Sequence, residues 1–203
     1  MRPTPTRRAF PRPELDNQVL FVVSPSRWTS VAGCGSLTLN HCSGTCKDRH
    51  LRISVVKAKE WLERGRASST PIDAFSNFWR GFNSLYAEVT KKGDERSRIR
   101  AFLKSNVSAD LATQTIDAHP QALDYLISQP VKDMRGNGKD TTSNIDAFAA
   151  AKSPQEKICE LFMIIYQVRC NLEHGQKSPN RARDIELCRY SSLFVADVVA
   201  NCA

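Results

Sequence analysis

The sequence contains no apolar stretch that approaches the roughly 20 residues needed to cross a membrane as a helix. In the first fifty residues the apolar run covers only positions 19–23, which is also too short for the core of a signal peptide. Internal repeats are absent as well, so the pattern excludes a repeat array. We therefore expect a cytoplasmic protein that does not have a membrane as a partner.

Cysteine is scattered and odd in number, with seven residues divided between the N-terminal segment and the later helical segments. Such a distribution is unlike the paired cysteines of a small secreted disulfide scaffold. Five possible metal ligands fall within 17 residues, namely Cys34, His41, Cys42, Cys46 and His50. Because their spacing includes no C-x2-C pair and does not match a zinc knuckle, we predict no metal site and no cofactor. Three later cysteines, Cys159, Cys170 and Cys188, are expected to be small buried hydrophobic residues.

The formal net charge of +8 is shared equally by two parts of the chain. Residues 1–50 hold 7 Lys/Arg against 3 Asp/Glu, and the other 153 residues hold 22 against 18, so each part contributes +4. This excess is compatible with RNA binding but forms no basic stripe. The first part sets four prolines among arginines and has no pattern long enough to fold alone. We expect residues 1–50 to be a disordered tail or an over-extended reading frame, and residues 51–203 to be the folded domain.

Residues 153–174 give the strongest helical signal in the chain. Ser153 and Pro154 provide an N-cap and a first-turn proline, and Gly175 provides a stop. One apolar stripe follows helical spacing at Ile158, Leu161, Phe162, Ile165, Val168 and Leu172, and a second runs beside it at Cys159, Met163, Tyr166 and Cys170. This apolar arc is wider than one contact surface requires, so two partners are expected to bury the helix. The polar stripe that remains includes Asn171 and His174 on one edge.

The rest of the folded domain also has helical patterns. Helices are predicted at residues 53–66, 72–90, 94–104 and 183–201, with short helices in residues 107–127 and an exposed loop at 129–144. The aromatic residues of 72–90 recur at helical spacing, which favours a core face packed on helix 153–174 over a base-stacking platform. The Gly136-Asn137-Gly138-Lys139 stretch in the loop lacks the strand and spacing of a nucleotide-binding P-loop. The expected fold class is an all-α bundle.

Arg169 and His174 form the combination with the clearest chemical meaning. A permanently charged guanidinium and a titratable imidazole suit a site that binds a phosphodiester and moves protons around it. The two residues are five positions apart, so their side chains point in directions about 140° apart around an ideal helix. One helix therefore cannot direct both side chains at one phosphate. Two copies packed about a two-fold axis can bring both residue types to a shared cleft. A histidine in the last turn faces the negative end of the helix dipole, which suits a general acid.

The stretch VRCNLEHG at residues 168–175 resembles the R-x-N-L-x-H-G core of a bacterial branch of the HEPN domains (higher eukaryotes and prokaryotes nucleotide-binding). Many HEPN domains are metal-independent ribonucleases with an Arg followed by His after four to six residues. A weaker likeness upstream, at residues 78–86 and 94–96, extends the resemblance to about residues 52–201. The resemblance implies an all-α bundle that dimerises around the motif, here through helix 153–174.

The same resemblance implies roles for individual residues. Arg169 would hold the scissile phosphate, His174 would act as acid or base for attack by the RNA 2′-hydroxyl, and Asn171 would orient the phosphate or the histidine. RNA is then the expected partner, and an antitoxin protein is a further candidate partner of a toxin or defence protein. Additional contacts to RNA are predicted for basic residues near the motif in the chain or in the helix before it: Arg96, Arg100, Lys177, Arg181 and Arg183.

Two positions depart from the active members of this branch. Cys170 stands where a polar residue is common, and Glu173 stands where an aromatic or apolar residue is usual. Glu173 is four residues after Arg169, so it can form a helical ion pair that competes with phosphate for the guanidinium. The alternative function is therefore a catalytically silent HEPN module that serves dimerisation or binds a nucleotide or a protein partner.

Overall fold

The computed structural model describes residues 46–87, 93–175 and 177–203, with only the backbone for residues 46–51. Residues 1–45 of the predicted disordered tail, and with them the predictions for Cys34, His41 and Cys42, lie outside this part of the chain. Residues 46–50 of that predicted tail belong instead to the first helix. The helices, in chain order, are α1 (Cys46–Arg66), α2 (Pro71–Tyr86), α3 (Glu95–Asn106), α4 (Ala109–Asp117), α5 (Pro120–Ser128), α6 (Thr142–Ala150), α7 (Pro154–Glu173) and α8 (Ala182–Cys202). The described residues contain no strand, which confirms the predicted all-α class.

Side-chain caps explain why the helices begin where they do. The Ser153 hydroxyl accepts a hydrogen bond from the Glu156 amide at 3.2 Å, and the Glu156 carboxylate accepts one from the Ser153 amide at 3.2 Å. This capping box, with a proline in the first turn, fixes the start of α7 as predicted. The Thr70 and Asp94 side chains cap α2 and α3 by accepting hydrogen bonds from the Asp73 and Ser97 amides.

Helix α7 lies at the centre of the bundle. Its backbone runs close to α3, α4, α6 and α8. Helix α2 lies closest to α1 and α8 and reaches α7 through aromatic side chains, with the Phe82 and Phe162 ring centroids 5.0 Å apart. The aromatic residues of α2 are buried, which confirms that its helical face is core.

Both apolar stripes of α7 are covered within one protomer. Ile158, Leu161, Phe162, Ile165 and Val168 are completely buried, and Cys159 and Met163 are almost completely so. Only the last positions of the two stripes, Tyr166, Cys170 and Leu172, are half-buried. The width of the apolar arc therefore follows from packing inside the chain and does not require a second copy.

Several predicted boundaries and one element differ from the structure. Helix α2 ends at Tyr86, within the predicted 72–90, and α1 begins at Cys46. Helix α6 was not predicted, since the expected loop extended to residue 144. The loop itself is not simply exposed, because Val131, Asp133 and Thr141 are buried. None of the helices in the described ranges is long and apolar enough to cross a membrane.

Candidate functional site

Arg169 lies in the last full turn of α7, one residue after the completely buried Val168. Its guanidinium Nη1 is 3.2 Å from Oε2 of Glu95, which comes from the first turn of α3. The two side chains are 26% and 21% exposed, so the pair is shielded from bulk solvent. The predicted helical ion pair with Glu173 is replaced by this contact between two helices.

Two tyrosines complete the surroundings of the Glu95 carboxylate. The Tyr86 hydroxyl donates to Oε1 at 2.5 Å and the Tyr166 hydroxyl donates to Oε2 at 3.1 Å. Burial and the adjacent carboxylate raise the pKa of Tyr86, so its hydroxyl remains a donor. Burial disfavours the charged form of Arg169, but Glu95, Tyr86 and Cys170 together outweigh it and raise the pKa of the guanidinium. We call Tyr86, Glu95, Tyr166 and Arg169 the Glu95 cluster.

Arg96 and Cys170 border the Glu95 cluster. The Arg96 guanidinium carbon lies 5.3 Å from the centre of the Tyr166 ring, and its Nη2 donates to the side-chain Oε1 of Gln167 at 3.3 Å. The Cys170 side chain is next to both Tyr166 and Arg169, and burial together with this neighbour raises the pKa of Tyr166. Arg96 is exposed and thus remains available to a ligand. The cluster is accordingly a polar site with a cationic border.

Asn171 is directed into the protein, where it holds the loop that follows α5. Its side-chain amide donates to the Lys132 carbonyl oxygen at 2.8 Å, and its Oδ1 accepts from the Met134 amide at 3.2 Å. Gln167 donates to the same Oδ1 at 3.1 Å. Only 1% of Asn171 is exposed, so the expected polar edge with His174 does not form. The Asn171 side chain is therefore used to hold the loop, whereas the sequence predicted that it would orient a phosphate or His174.

Replacing Asn171 with alanine is expected to lower the free energy of unfolding by about 1–3 kcal/mol, because the loop amide and carbonyl lose their buried partner. Amide hydrogen exchange should become faster at Met134 with little change at Ile158 in the centre of α7. Asn144→Ala is a suitable control, since its side chain donates to a different helix residue, Glu160, at 2.9 Å. Unchanged exchange at Met134 would contradict the fastening role.

His174 occupies the C-terminal cap of α7 and is exposed. Its backbone amide donates to the Cys170 carbonyl oxygen at 3.2 Å. Gly175 then adopts a φ of 66°, a left-handed conformation that ends the helix as predicted. Arg169 is directed to α3 while His174 extends from the end of α7 into solvent. The predicted divergence of the two side chains is consistent with this placement.

The other predicted RNA contacts have different environments. Arg100 binds both oxygens of Glu160 on α7, with Nη2 to Oε2 at 3.0 Å. Lys177 is only 4% exposed and binds Asp184 at 2.7 Å. Arg183 donates to the backbone oxygens of residues 129 and 130. Of the five basic residues predicted to contact RNA, Arg96 and Arg181 are exposed.

His119 has a specific partner in the structure. Its Nε2 is 2.8 Å from Oδ2 of Asp197 on α8, and its ring packs edge-on against Phe194. The partners are 78 residues apart, so no local pattern could have indicated the pair.

No group of three possible metal ligands lies together in the described ranges. Comparisons of the chain with protein-family models, curated proteins and solved structures found no match.

Proposed function

We propose that this protein is a metal-independent endoribonuclease of the HEPN type, a toxin or defence protein in the cytoplasm that cleaves RNA by transesterification. One observation carries this function: Arg169 and His174 stand where the central helix of an all-α bundle leaves the core. Arg169 is half-buried in a polar cluster, and His174 is exposed one turn later. A guanidinium in low-dielectric surroundings is a strong ligand for a phosphate, and an exposed imidazole is free to exchange protons.

In the proposed reaction the RNA 2′-oxygen attacks the adjacent phosphorus and the bond from phosphorus to the 5′-oxygen breaks. One imidazole removes the proton from the 2′-hydroxyl, and a second gives a proton to the departing 5′-oxygen. Arg169 stabilises the negative charge that develops on the phosphoryl oxygens. The products carry a 2′,3′-cyclic phosphate and a 5′-hydroxyl.

Two imidazoles are supplied in this mechanism by two copies of the chain. The half-buried end of α7 is the part of that helix left for such a contact, because the preceding apolar positions are covered within the protomer. A two-fold axis near this end would place Arg169 and His174 of both copies around one cleft. Arg96 and Arg181, both exposed, are the predicted basic residues best placed to contact RNA outside the cleft.

Incubation of the purified protein with labelled single-stranded RNA in EDTA tests this function. We expect cleavage with cyclic-phosphate ends on one product and 5′-hydroxyl ends on the other, because neither step requires a metal ion. Treatment of the products with acid, which opens a cyclic phosphate, identifies the ends. Absence of cleavage over a range of RNA sequences, or cleavage that leaves 5′-phosphates, would contradict the proposed chemistry.

The second candidate function is a catalytically silent HEPN module that binds a nucleotide or protein partner. It is favoured by the carboxylate of Glu95, which already neutralises Arg169. Such a module would bind RNA or a nucleotide without cleaving it, or would bind only a protein such as an antitoxin. Gel-shift measurements with the same RNA separate these outcomes from the nuclease.

A further inference from the structure

Two buried guanidinium nitrogens, one on α3 and one on α7, have no acceptor among the described residues. The Nε atoms of Arg98 and Arg169 are shielded from solvent and lack a hydrogen-bond partner among the described residues. Buried donors are normally paired, because an unpaired donor loses its bond to water without replacement. Two such atoms on two helices that pack against each other therefore call for an explanation.

The positions of these residues place them around one centre. Glu95 and Arg98 are three residues apart on α3 and so lie on the same side of the helix. Arg169 reaches Glu95 from α7. The charges of both arginines act on the Tyr86 hydroxyl and lower its pKa, against the larger effects of burial and of Glu95. Glu95, which contacts both Arg169 and the Tyr86 hydroxyl, therefore lies on the side of α3 that also carries Arg98.

A third buried donor belongs to the same neighbourhood. Trp79 is 3% exposed, and its indole Nε1 also lacks a partner in the described part of the chain. Its ring centroid is 6.4 Å from that of Tyr86 and 6.2 Å from that of Tyr166. The residues of α2, α3 and α7 around the Glu95 cluster therefore include three buried N–H donors that have no acceptor in the described ranges, in addition to the donors that bind the Glu95 carboxylate.

We propose that Arg98 joins Arg169 in a two-guanidinium site for one RNA phosphodiester, and that the Glu95 carboxylate fills this site until RNA displaces it. Carboxylate and phosphate oxygens accept hydrogen bonds from guanidinium in similar geometries, so one replaces the other. The Tyr86 and Tyr166 hydroxyls, which donate to Glu95, become donors to the phosphate. The identity of the phosphodiester as RNA rests on the proposed function, whereas the site itself is tested without RNA.

The ion pair between Arg100 and Glu160 provides the matched control. It also joins α3 to α7 and is similarly shielded, with exposures of 34% and 16%. Here the guanidinium uses two nitrogens on the two carboxylate oxygens, and Asn144 donates to the same carboxylate. This ion pair therefore serves to hold α3 against α7.

Binding of inorganic phosphate and of dimethyl phosphate, a simple phosphodiester, would be measured at constant ionic strength by calorimetry. The full chain would be compared with Glu95→Gln, Glu160→Gln and the double variant Glu95→Gln, Arg98→Gln. Removal of the competing charge in Glu95→Gln should tighten binding of both anions by about tenfold or more. Glu160→Gln should bind like the unchanged protein, and the double variant should lose the gain.

Equal affinities for Glu95→Gln and the unchanged protein would overturn the displacement of Glu95. Retention of the gain in the double variant would overturn the role of Arg98. Binding of inorganic phosphate without dimethyl phosphate would overturn the assignment to a phosphodiester and indicate a terminal phosphate group as the ligand.

Arginine Nε–Hε resonances provide a second measurement that needs no folded variant of Glu95. Titration of the unchanged protein with dimethyl phosphate should shift the Arg98 and Arg169 signals saturably and leave Arg100 in place. A shift confined to exposed arginines would overturn the site. RNA cleavage by a protein that fails both anion tests would sink this site alone, and anion binding without RNA cleavage would sink the nuclease alone.

Discussion

Cleavage of RNA is expected to fall by about 10²–10⁴-fold when His174 is replaced with alanine, the range that general acid–base groups contribute. Histidine is the residue type most often used as a general acid or base, and His174 is the histidine of the proposed site. Because His174 is exposed at the end of α7, its removal should leave the melting temperature almost unchanged. Initial cleavage rates and thermal unfolding of the same preparation check both expectations.

His119→Gln is the control for this substitution. His119 is also partly exposed, and its ring lies beside the carboxylate of Asp197. A histidine oriented by a carboxylate is the usual arrangement of a catalytic base, and His174 lacks it among the described residues. We expect its replacement to leave cleavage within a few-fold of the unchanged protein, since its partner lies on α8 and α7 supplies the proposed site. Loss of activity in His119→Gln with full activity in His174→Ala would reverse the assignment.

Replacement of Lys177 with methionine is expected to lower the free energy of unfolding by about 3–5 kcal/mol at neutral pH, because Asp184 would remain buried without its cation. The two side chains are 4% and 6% exposed, and their atoms are 2.7 Å apart. Burial opposes ionisation of Asp184, but Lys177 and the Ser178 amide outweigh it and hold the pKa of the carboxyl below its usual value. Chemical denaturation at neutral pH measures the loss.

The pH dependence follows from the same shift. A carboxyl whose pKa is lowered by folding stabilises the protein above its unfolded pKa, and this contribution disappears as the pH falls through the folded pKa. The difference between Lys177→Met and the unchanged protein should therefore shrink toward acid pH. Arg66→Met is the control, because its ion pair with Glu63 is 52% and 69% exposed and should contribute less than about 1 kcal/mol. Equal effects at the two sites would contradict the importance of burial.

Local signals predicted the elements that carry the candidate site. The cap at Ser153, the proline after it and the stop at Gly175 define α7 almost to the residue. Helix α6 could not be predicted because it is only nine residues long, has a single buried residue and is preceded by Thr141, an N-cap residue that makes no side-chain cap. A short helix of this kind depends on its neighbours and leaves little trace in a pattern of apolar spacing.

The partners within the candidate site could not be predicted in the same way. Helical spacing indicated Glu173 as the partner of Arg169, whereas the structure uses Glu95, 74 residues away. Asn171 appeared to belong to an exposed edge, but the loop after α5 folds over it. Asn137 lies between two glycines, a pattern typical of a turn, but its contact with the buried Asp133 was not part of the predicted exposed loop. Contacts between distant segments depend on the packing of the whole domain.

The completely buried part of α7 ends at Val168, and the residues proposed to act on RNA begin with Arg169, the next residue. Between Ile158 and Val168 most side chains of the helix are buried, and substitutions there would affect the whole domain. After Val168, apart from Asn171, the side chains are half-buried or exposed. Descendants of this chain could thus lose or change the chemistry by altering a single helical turn and still inherit an intact fold.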